Sequence, residues 1–317
     1  MTICRTLALS AATCGFLLGG AAIAAGITVH DARDRDVTIA DPARIVSIGG
    51  AITEILYALG FEDRLAGVDS TSLYPAAALR DKPNVGYMRQ LSAEGVLGLN
   101  PSLVLAAQGS GPKETMDVLE AAKVPLVLVP ETFSEAGLIE KIKLVGHAMG
   151  ADKRAECLTT AVSGDLAQLR ELRAKVTKPV RVMFVMSLLN GRAMAAGQKT
   201  AANEIIALAG GVNAIDGYDG YKIISDEAIV AAKPDVVLSI ARSKDSLDAE
   251  AVYLHPAFAL TPVVANKAFI SMDGLYLLGF GPRTAAAARD LSIKLYPTLA
   301  PQAEKFAPAV LTANCRL

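Results

Sequence analysis

From Arg44 onward, short apolar runs alternate with stretches of helical periodicity. "RIVSIG" (Arg44 to Gly49) reads as a buried strand, and the "AITEILYALG" that follows reads as a helix ended by Gly60. "LAGVD" makes a second strand that stops at Asp69, and a polar, Pro-containing loop then runs to Gly86. A short helix from Ser92, the strand "LVLAA" after Pro101, a helix from Pro112 to Lys123 and the strand "PLVLVP" complete this half. Alternation of this kind predicts a mainly parallel sheet covered by helices.

Between about Ser134 and Lys178 the pattern turns helical throughout. In "AECLTTAVSGDLAQLRELRAKV" the residues Leu158, Val162, Leu166, Leu169 and Leu172 fall on one stripe, with charges elsewhere. "VRVMFVMS" then restarts the strand–helix alternation. The predicted architecture is α/β, with an N-terminal lobe over residues 26–150, one long linker helix over 151–178, and a C-terminal lobe over 179–317.

One passage is written twice. "VGYMRQLSAEGVLGLNPSLVL" (Val85 to Leu105) returns as "DGYKIISDEAIVAAKPDVVLSI" (Asp219 to Ile240). Each copy runs Gly-Tyr, a Ser (Ser92, Ser225), an acid two residues on (Glu94, Glu227), an apolar helix, a Pro (Pro101, Pro234) and a Val/Leu strand. Ser suits an N-cap, acids suit a first turn, and Pro stops a helix. Two well-formed helix–strand units account for this plainly; two related lobes facing each other across a cleft account for it more fully. A cleft between lobes is a usual place for a small ligand.

Composition sharpens this picture in three ways. Hydrophobic residues make up 52% and charged residues 20% of 317, which describes a globular chain. The formal net charge of −1 argues against a general affinity for nucleic acid or anionic membrane. Residues 1–25, "MTICRTLALSAATCGFLLGGAAIAA", hold one Arg, no acid and a short apolar stretch, which is the pattern of a cleaved secretory signal. Its removal takes Arg5, leaving 30 basic against 32 acidic residues and a net charge of −2. The mature protein is therefore expected to be exported and soluble. Cys157 and Cys315 remain, and the sequence leaves open whether they form a disulfide or whether Cys157 is a buried thiol.

Several chemistries lack their residues. Gly49-Gly50 lies between a strand and a helix, but no dinucleotide or phosphate-loop motif surrounds it. There is no G-x-S-x-G, and the three histidines, His30, His147 and His255, are scattered, which disfavours a catalytic triad or a multi-His metal site. His147, at an apolar helix end, reads as a core or capping residue. What remains is Tyr87 with Arg89. On an extended segment residues two apart project to one face, so a phenol and a guanidinium would point together. A phenolate is a hard oxygen donor suited to ferric iron, and tyrosinate is a known axial ligand of haem. On residues alone, a surface Tyr–Arg stack is the favoured reading of the pair.

From Arg44 to about Pro297 the chain resembles the periplasmic haem-binding proteins of bacterial haem ABC importers. These belong to the helix-linked class of two-lobed binding proteins. The passages that carry the resemblance are "RIVSIGGAITEILYALG", "LAGVDSTSLYP", "VGYMRQLSAEGVL", "AANEIIALAGGVNAI", "SDEAIVAAKPDVV" and "LLGFGPRTAAAA". The resemblance implies that Tyr87 is the axial ligand of haem b carried as cargo, and that Arg89 is a propionate partner. In "LLNGRAMAAG" it puts Arg192 and Met194 forward as further contacts, with no His there. Phe280 stands where some relatives carry Met and is expected as an apolar haem contact. The resemblance also implies an inner-membrane permease dimer with its ATPase as partner, docked through Glu94 and Glu227, one per lobe. One haem or two stacked haems both fit. A ferric siderophore or cobalamin is the rival ligand for the same architecture. An exported hydrolase is disfavoured for want of a base–nucleophile pair.

Overall fold

The computed structural model describes residues 26–241 and 246–316; the segment read as a secretory signal lies outside the described residues. A hairpin of β1 (Ile27–His30) and β2 (Asp36–Ile39) comes first. The N-terminal lobe then runs β3 (Ile45–Ile48), α1 (Gly50–Ala58), β4 (Leu65–Val68), α2 (Ala77–Asp81), α3 (Ala93–Leu97), β5 (Leu103–Ala107), α4 (Lys113–Ala121), β6 (Leu126–Val129) and α5 (Glu135–Ala148). Its sheet has the order β4-β3-β5-β6 and is parallel throughout. Every residue of β3, β5 and β6 is buried, as continuous apolar runs require in a sheet covered on both faces.

The helical stretch divides at Gly150, which takes a left-handed conformation (φ 64°). Beyond it α6 (Asp152–Arg173) spans 22 residues, roughly 33 Å at 1.5 Å per residue. The predicted stripe is its buried face: Leu158, Val162, Leu166, Leu169 and Leu172 are all buried. Each such side chain contributes on the order of 1.5–3 kcal/mol.

The C-terminal lobe runs β7 (Arg181–Leu189), β8 (Arg192–Ala196), α7 (Ala201–Leu208), β9 (Val212–Asn213), β10 (Tyr221–Ile223), α8 (Asp226–Ala232) and β11 (Val236–Ala241). It continues through α9 (Ala249–Tyr253), α10 (Pro256–Ala259), α11 (Pro262–Ala265), β12 (Phe269–Asp273), α12 (Gly274–Leu278), α13 (Thr284–Leu295) and α14 (Ala300–Ala303). The sheet order is β10-β8-β7-β11-β12, with β9 alongside β7. β7, β9, β11 and β12 are parallel, while β8 and β10 add an antiparallel edge. That edge exists because Asn190 and Gly191 both take positive φ (50° and 75°), the two-residue turn that folds β8 back on β7.

The two sheets and α6 share one core, in which Ile45 and Leu103 of the first sheet, Leu166 of α6, and Phe184 and Leu238 of the second sheet belong to a single cluster. A strap reinforces it. Buried Asp165 on α6 accepts the backbone N–H groups of Ala309 (2.6 Å) and Val310 (3.1 Å). Cys315 is disulfide-bonded to Cys157 with a Cα–Cα distance of 5.6 Å, which settles the choice the sequence left open. Arg316 then donates to the Tyr57 carbonyl at 3.0 Å and to Glu62 at 2.7 Å. Residues 309–316 thus leave the second lobe, cross α6 and finish on the first. Breaking the bridge by Cys157→Ser is expected to cost about 2–4 kcal/mol, from the loop entropy it removes from the unfolded chain. Thermal unfolding with and without reductant checks this, and coincident curves would show that the bridge adds no stability.

Candidate functional site

The parallel sheet of the first lobe releases its loops at the carboxyl ends of its strands, where α/β proteins commonly bind ligands. The loop after β4 is anchored by Asp69, whose buried carboxylate accepts the Gly49 N–H at 2.9 Å, the Thr71 N–H at 3.0 Å and the Ser72 hydroxyl at 3.0 Å. The Ser70 N–H donates to the Gly86 carbonyl at 2.8 Å, which ties this loop to the one carrying Tyr87. On the far side of Tyr87, the Met88 carbonyl accepts the Gly111 N–H at 2.9 Å, and the Leu91 N–H donates to the Gly111 carbonyl at 2.9 Å. Tyr87 is thus an exposed aromatic on a backbone fixed from both sides.

Tyr87 and Arg89 do come together, but by a turn rather than along an extended segment. The Gln90 N–H donates to the Tyr87 carbonyl at 2.8 Å, and the turn brings Arg89 Nη1 to 3.4 Å from the Tyr87 hydroxyl. Both side chains are exposed.

Four of the eight tyrosines are unsuited to an anionic oxygen. Burial pushes the phenols of Tyr57, Tyr218 and Tyr296 up from their ordinary pKa. Burial and the Asp290 carboxylate, 2.8 Å away, push Tyr276 up further. Tyr218 and Tyr296 already donate to the backbone carbonyls of Ala195 and Gly210. Tyr74, Tyr87 and Tyr221 are the exposed ones, at 41%, 40% and 39%.

The second copy of the repeated passage has the same local form. Gly86 and Gly220 both take positive φ (96° and 81°) ahead of an exposed Tyr, and Asn100 and Lys233 both take left-handed conformations ahead of Pro. Tyr221, however, lies in β10, paired with Ala196 of β8, and Ile223 pairs with Met194. Opposed residues share a face, so Met194, Arg192, Tyr221 and Ile223 lie on one side of this antiparallel edge. Arg192 is exposed and Met194 half-buried. No described hydrogen bond or ion pair joins Arg192 to Tyr87 or Arg89, which belong to the other lobe.

Phe280 is a correction. It is 1% exposed, its ring packs edge-on to Phe133 at 5.3 Å, and its carbonyl accepts the buried Lys141 Nζ at 3.3 Å. A ring enclosed in the shared core has no face left for a ligand. Of the two roles expected for His147, the core one is excluded: it is exposed in the last turn of α5, with Nδ1 2.9 Å from Asp152 and Nε2 3.2 Å from the Thr28 carbonyl, and so joins α5, α6 and β1. His255 caps α10 by accepting the Ala257 N–H at 3.2 Å. A groove of about 900 Å³ beside β1, α5 and α6 is lined by His30, His147 and Lys143 among others; it contains none of the expected site residues.

The residues that sequence reasoning missed sit where the lobes meet. Arg283, just ahead of α13, makes a bidentate pair with Glu54 of α1, at 3.0 Å and 2.9 Å. The Arg283 N–H donates to the same carboxylate at 3.2 Å. The Arg283 guanidinium lies over the Tyr74 ring, 3.5 Å from its centroid, and 5.1 Å from that of Tyr276. The quoted "GFGPR" passage contains this Arg, but nothing local points to a partner 229 residues away.

Glu94 and Glu227 occupy equivalent exposed positions. Ser92 Oγ accepts the Gly95 N–H and Ser225 Oγ accepts the Ala228 N–H, each at 3.3 Å, so both acids sit in the first turn of a capped helix. The Glu227 carboxyl is held below its ordinary pKa by its own backbone N–H and the Ser225 hydroxyl.

A periplasmic binding protein family model matches residues 45–275. Among solved structures, the apo form of the periplasmic heme-binding protein RhuT from Roseiflexus sp. RS-1 is 39% identical with a TM-score of 0.76, over 81% of this chain and 98% of that one. The periplasmic heme-binding protein BhuT, in complex with two hemes, is 37% identical with a TM-score of 0.75, over 81% of this chain and 98% of that one. A cobalamin-binding protein of Halobacterium salinarum is 29% identical over 230 residues, 71% of this chain and 61% of that protein. Two α/β lobes joined by a long helix agree with these folds. The chain belongs to the periplasmic binding protein family, whose members are substrate-binding proteins rather than enzymes.

Proposed function

We propose that the protein captures haem between its two lobes in the periplasm, binds the ferric iron through the Tyr87 phenolate, and delivers the haem to a dimeric inner-membrane permease driven by its ATPase. The observation that carries this reading is Tyr87 itself: an exposed phenol on a doubly anchored turn, with the Arg89 guanidinium 3.4 Å from its oxygen. Arg89 supplies positive charge beside an anionic oxygen or a propionate. Arg192, from the other lobe, is a second propionate partner, and Met194 is an apolar contact on the same strand face. The similarity to RhuT and BhuT supports haem over other ligands.

Titration of the purified protein with ferric haem tests the reading. A shifted Soret band with high-spin ferric features is expected, and a featureless titration would remove haem as the ligand. Cobalamin is the second reading, favoured by the Halobacterium relative. The same titration with cyanocobalamin separates them, since saturable corrinoid binding without haem binding would replace the first reading by the second.

Delivery rests on Glu94 and Glu227, one exposed carboxylate per lobe on matched helices. Each complements its helix dipole by only about 0.3–1 kcal/mol, so reversing them should leave the fold intact. Charges at the rim of an interface govern orientation and association rate. Glu94→Arg with Glu227→Arg is expected to keep haem binding and to abolish transport in membranes containing the importer, with a partial defect from each single change. Normal transport by the double variant would leave the two acids as helix caps alone.

A further inference from the structure

We infer that Tyr74 is a second ligand contact at the junction of the lobes, a stacking platform for the flat face of a conjugated macrocycle, held in place by Arg283 and Glu54. The inference rests on the haem reading above, and deepens it by separating recognition of the ring from ligation of the iron.

Tyr74 follows the loop that Asp69 anchors, and Leu73 beside it is 50% exposed. Through the Ser70–Gly86 hydrogen bond this loop adjoins the Tyr87 turn. Leu73, Tyr74 and Tyr87 are therefore three large exposed side chains on two adjacent loops. Exposed apolar groups gathered in this way mark a binding surface more often than solitary ones do.

Tyr74 is also held from behind. The Arg283 guanidinium, 3.5 Å from its ring centroid, covers one face and leaves the residue 41% exposed. Arg283 cannot swing away, because both its Nε and Nη2 donate to Glu54, whose side chain is 6% exposed. The loop is wedged as well: a Cβ added at Gly50 would lie 2.3 Å from the Thr71 carbonyl oxygen and 2.6 Å from Leu275 of the other lobe. A ring clamped before the ligand arrives loses little freedom on binding, which favours affinity. Aromatic contacts of this kind prefer flat conjugated partners. Tyr74 is thus a ligand contact, and Arg283 with Glu54 are positioning residues that act through it.

Two probes separate the roles: ferric protoporphyrin IX, and the same ring without iron. Tyr74→Ala is expected to weaken both by a similar factor of about tenfold, with the spectrum of the iron form unchanged. Tyr87→Phe, which keeps the ring and removes only the oxygen, is expected to weaken the iron form alone. Arg283→Met is expected to weaken both probes by roughly threefold, and to have no further effect in a Tyr74→Ala background, since two changes acting through one contact are not additive. A purely structural role for Arg283 would instead lower affinity equally in both backgrounds, and that result overturns the positioning role. Unchanged affinity of Tyr74→Ala for the iron-free ring overturns the platform. So does tight binding of the ferric form by the wild type with none of the iron-free ring, an outcome that leaves Tyr87 ligation standing. If the wild type binds neither porphyrin, the haem reading itself fails and the platform with it.

Discussion

Tyr87→Ala is expected to lose the high-spin ferric spectrum and to bind ferric haem at least about 100-fold more weakly. Loss of an outer-shell partner of a metal ligand typically costs about 10–100-fold, and loss of the ligand itself should exceed that range. The fold should be untouched, because the side chain is 40% exposed and its loop is held by backbone hydrogen bonds that alanine retains. Tyr87→Phe keeps the ring and removes only the oxygen, so it should match the alanine variant if ligation is what matters. Arg89→Ala should show a smaller loss, about tenfold, and a smaller one still for a haem whose propionates are esterified. A Tyr87→Ala variant with wild-type spectrum and affinity would move the ligand elsewhere, and Tyr74 and Tyr221 would then be the residues to replace.

The second large effect concerns stability. Glu54→Ala removes the carboxylate that accepts two guanidinium bonds and the backbone N–H of Arg283, at a site where the two side chains are 6% and 16% exposed. Removing one member of a buried pair strands the other charge, and costs about 3–5 kcal/mol. Arg283 keeps its stacking on Tyr74 and Tyr276, so the lower end applies, about 3 kcal/mol. For a chain of 317 residues that corresponds to a fall in Tm on the order of 5 °C. Glu54→Gln retains the shape and some of the hydrogen bonds and should fall between. A melting temperature within about 1 °C of wild type would mean that the Arg283 charge is not stranded when its carboxylate is removed.

The contrast between Glu54 and Leu166 shows what the sequence could carry. Leu166 and its stripe were legible because a helix repeats every 3.6 residues, and the α6 face was read from spacing alone. β3, β5 and β6 were legible for the same kind of reason, as short runs of residues that only a covered sheet can bury. Glu54 carries no such signal: it sits in an otherwise apolar helix, and the residue that neutralises it lies 229 positions on. The Tyr87–Arg89 pair was legible as composition but not as geometry, because a two-residue spacing fits a strand and a turn equally well. Phe280 was misplaced since an apolar residue in a ligand-associated motif serves a core as readily as a cleft. The β7–β8 hairpin did have a signal, the Asn190-Gly191 pair, which is among the strongest for a two-residue turn.

The strap across α6 also sets an order of events in synthesis. Tyr57, Glu62, Cys157 and Asp165 are made first, and Cys315 follows Cys157 by 158 residues. Until Cys315 arrives, Cys157 lacks the partner it has in the folded protein, and Asp165 lacks both backbone donors that later satisfy it. The first lobe can assemble its sheet early, yet it acquires its outer brace only when residues 309–316 arrive. A chain halted before them would retain an open thiol and an unsatisfied carboxylate on its central helix, features by which proteases and thiol-handling factors could distinguish it from the finished molecule.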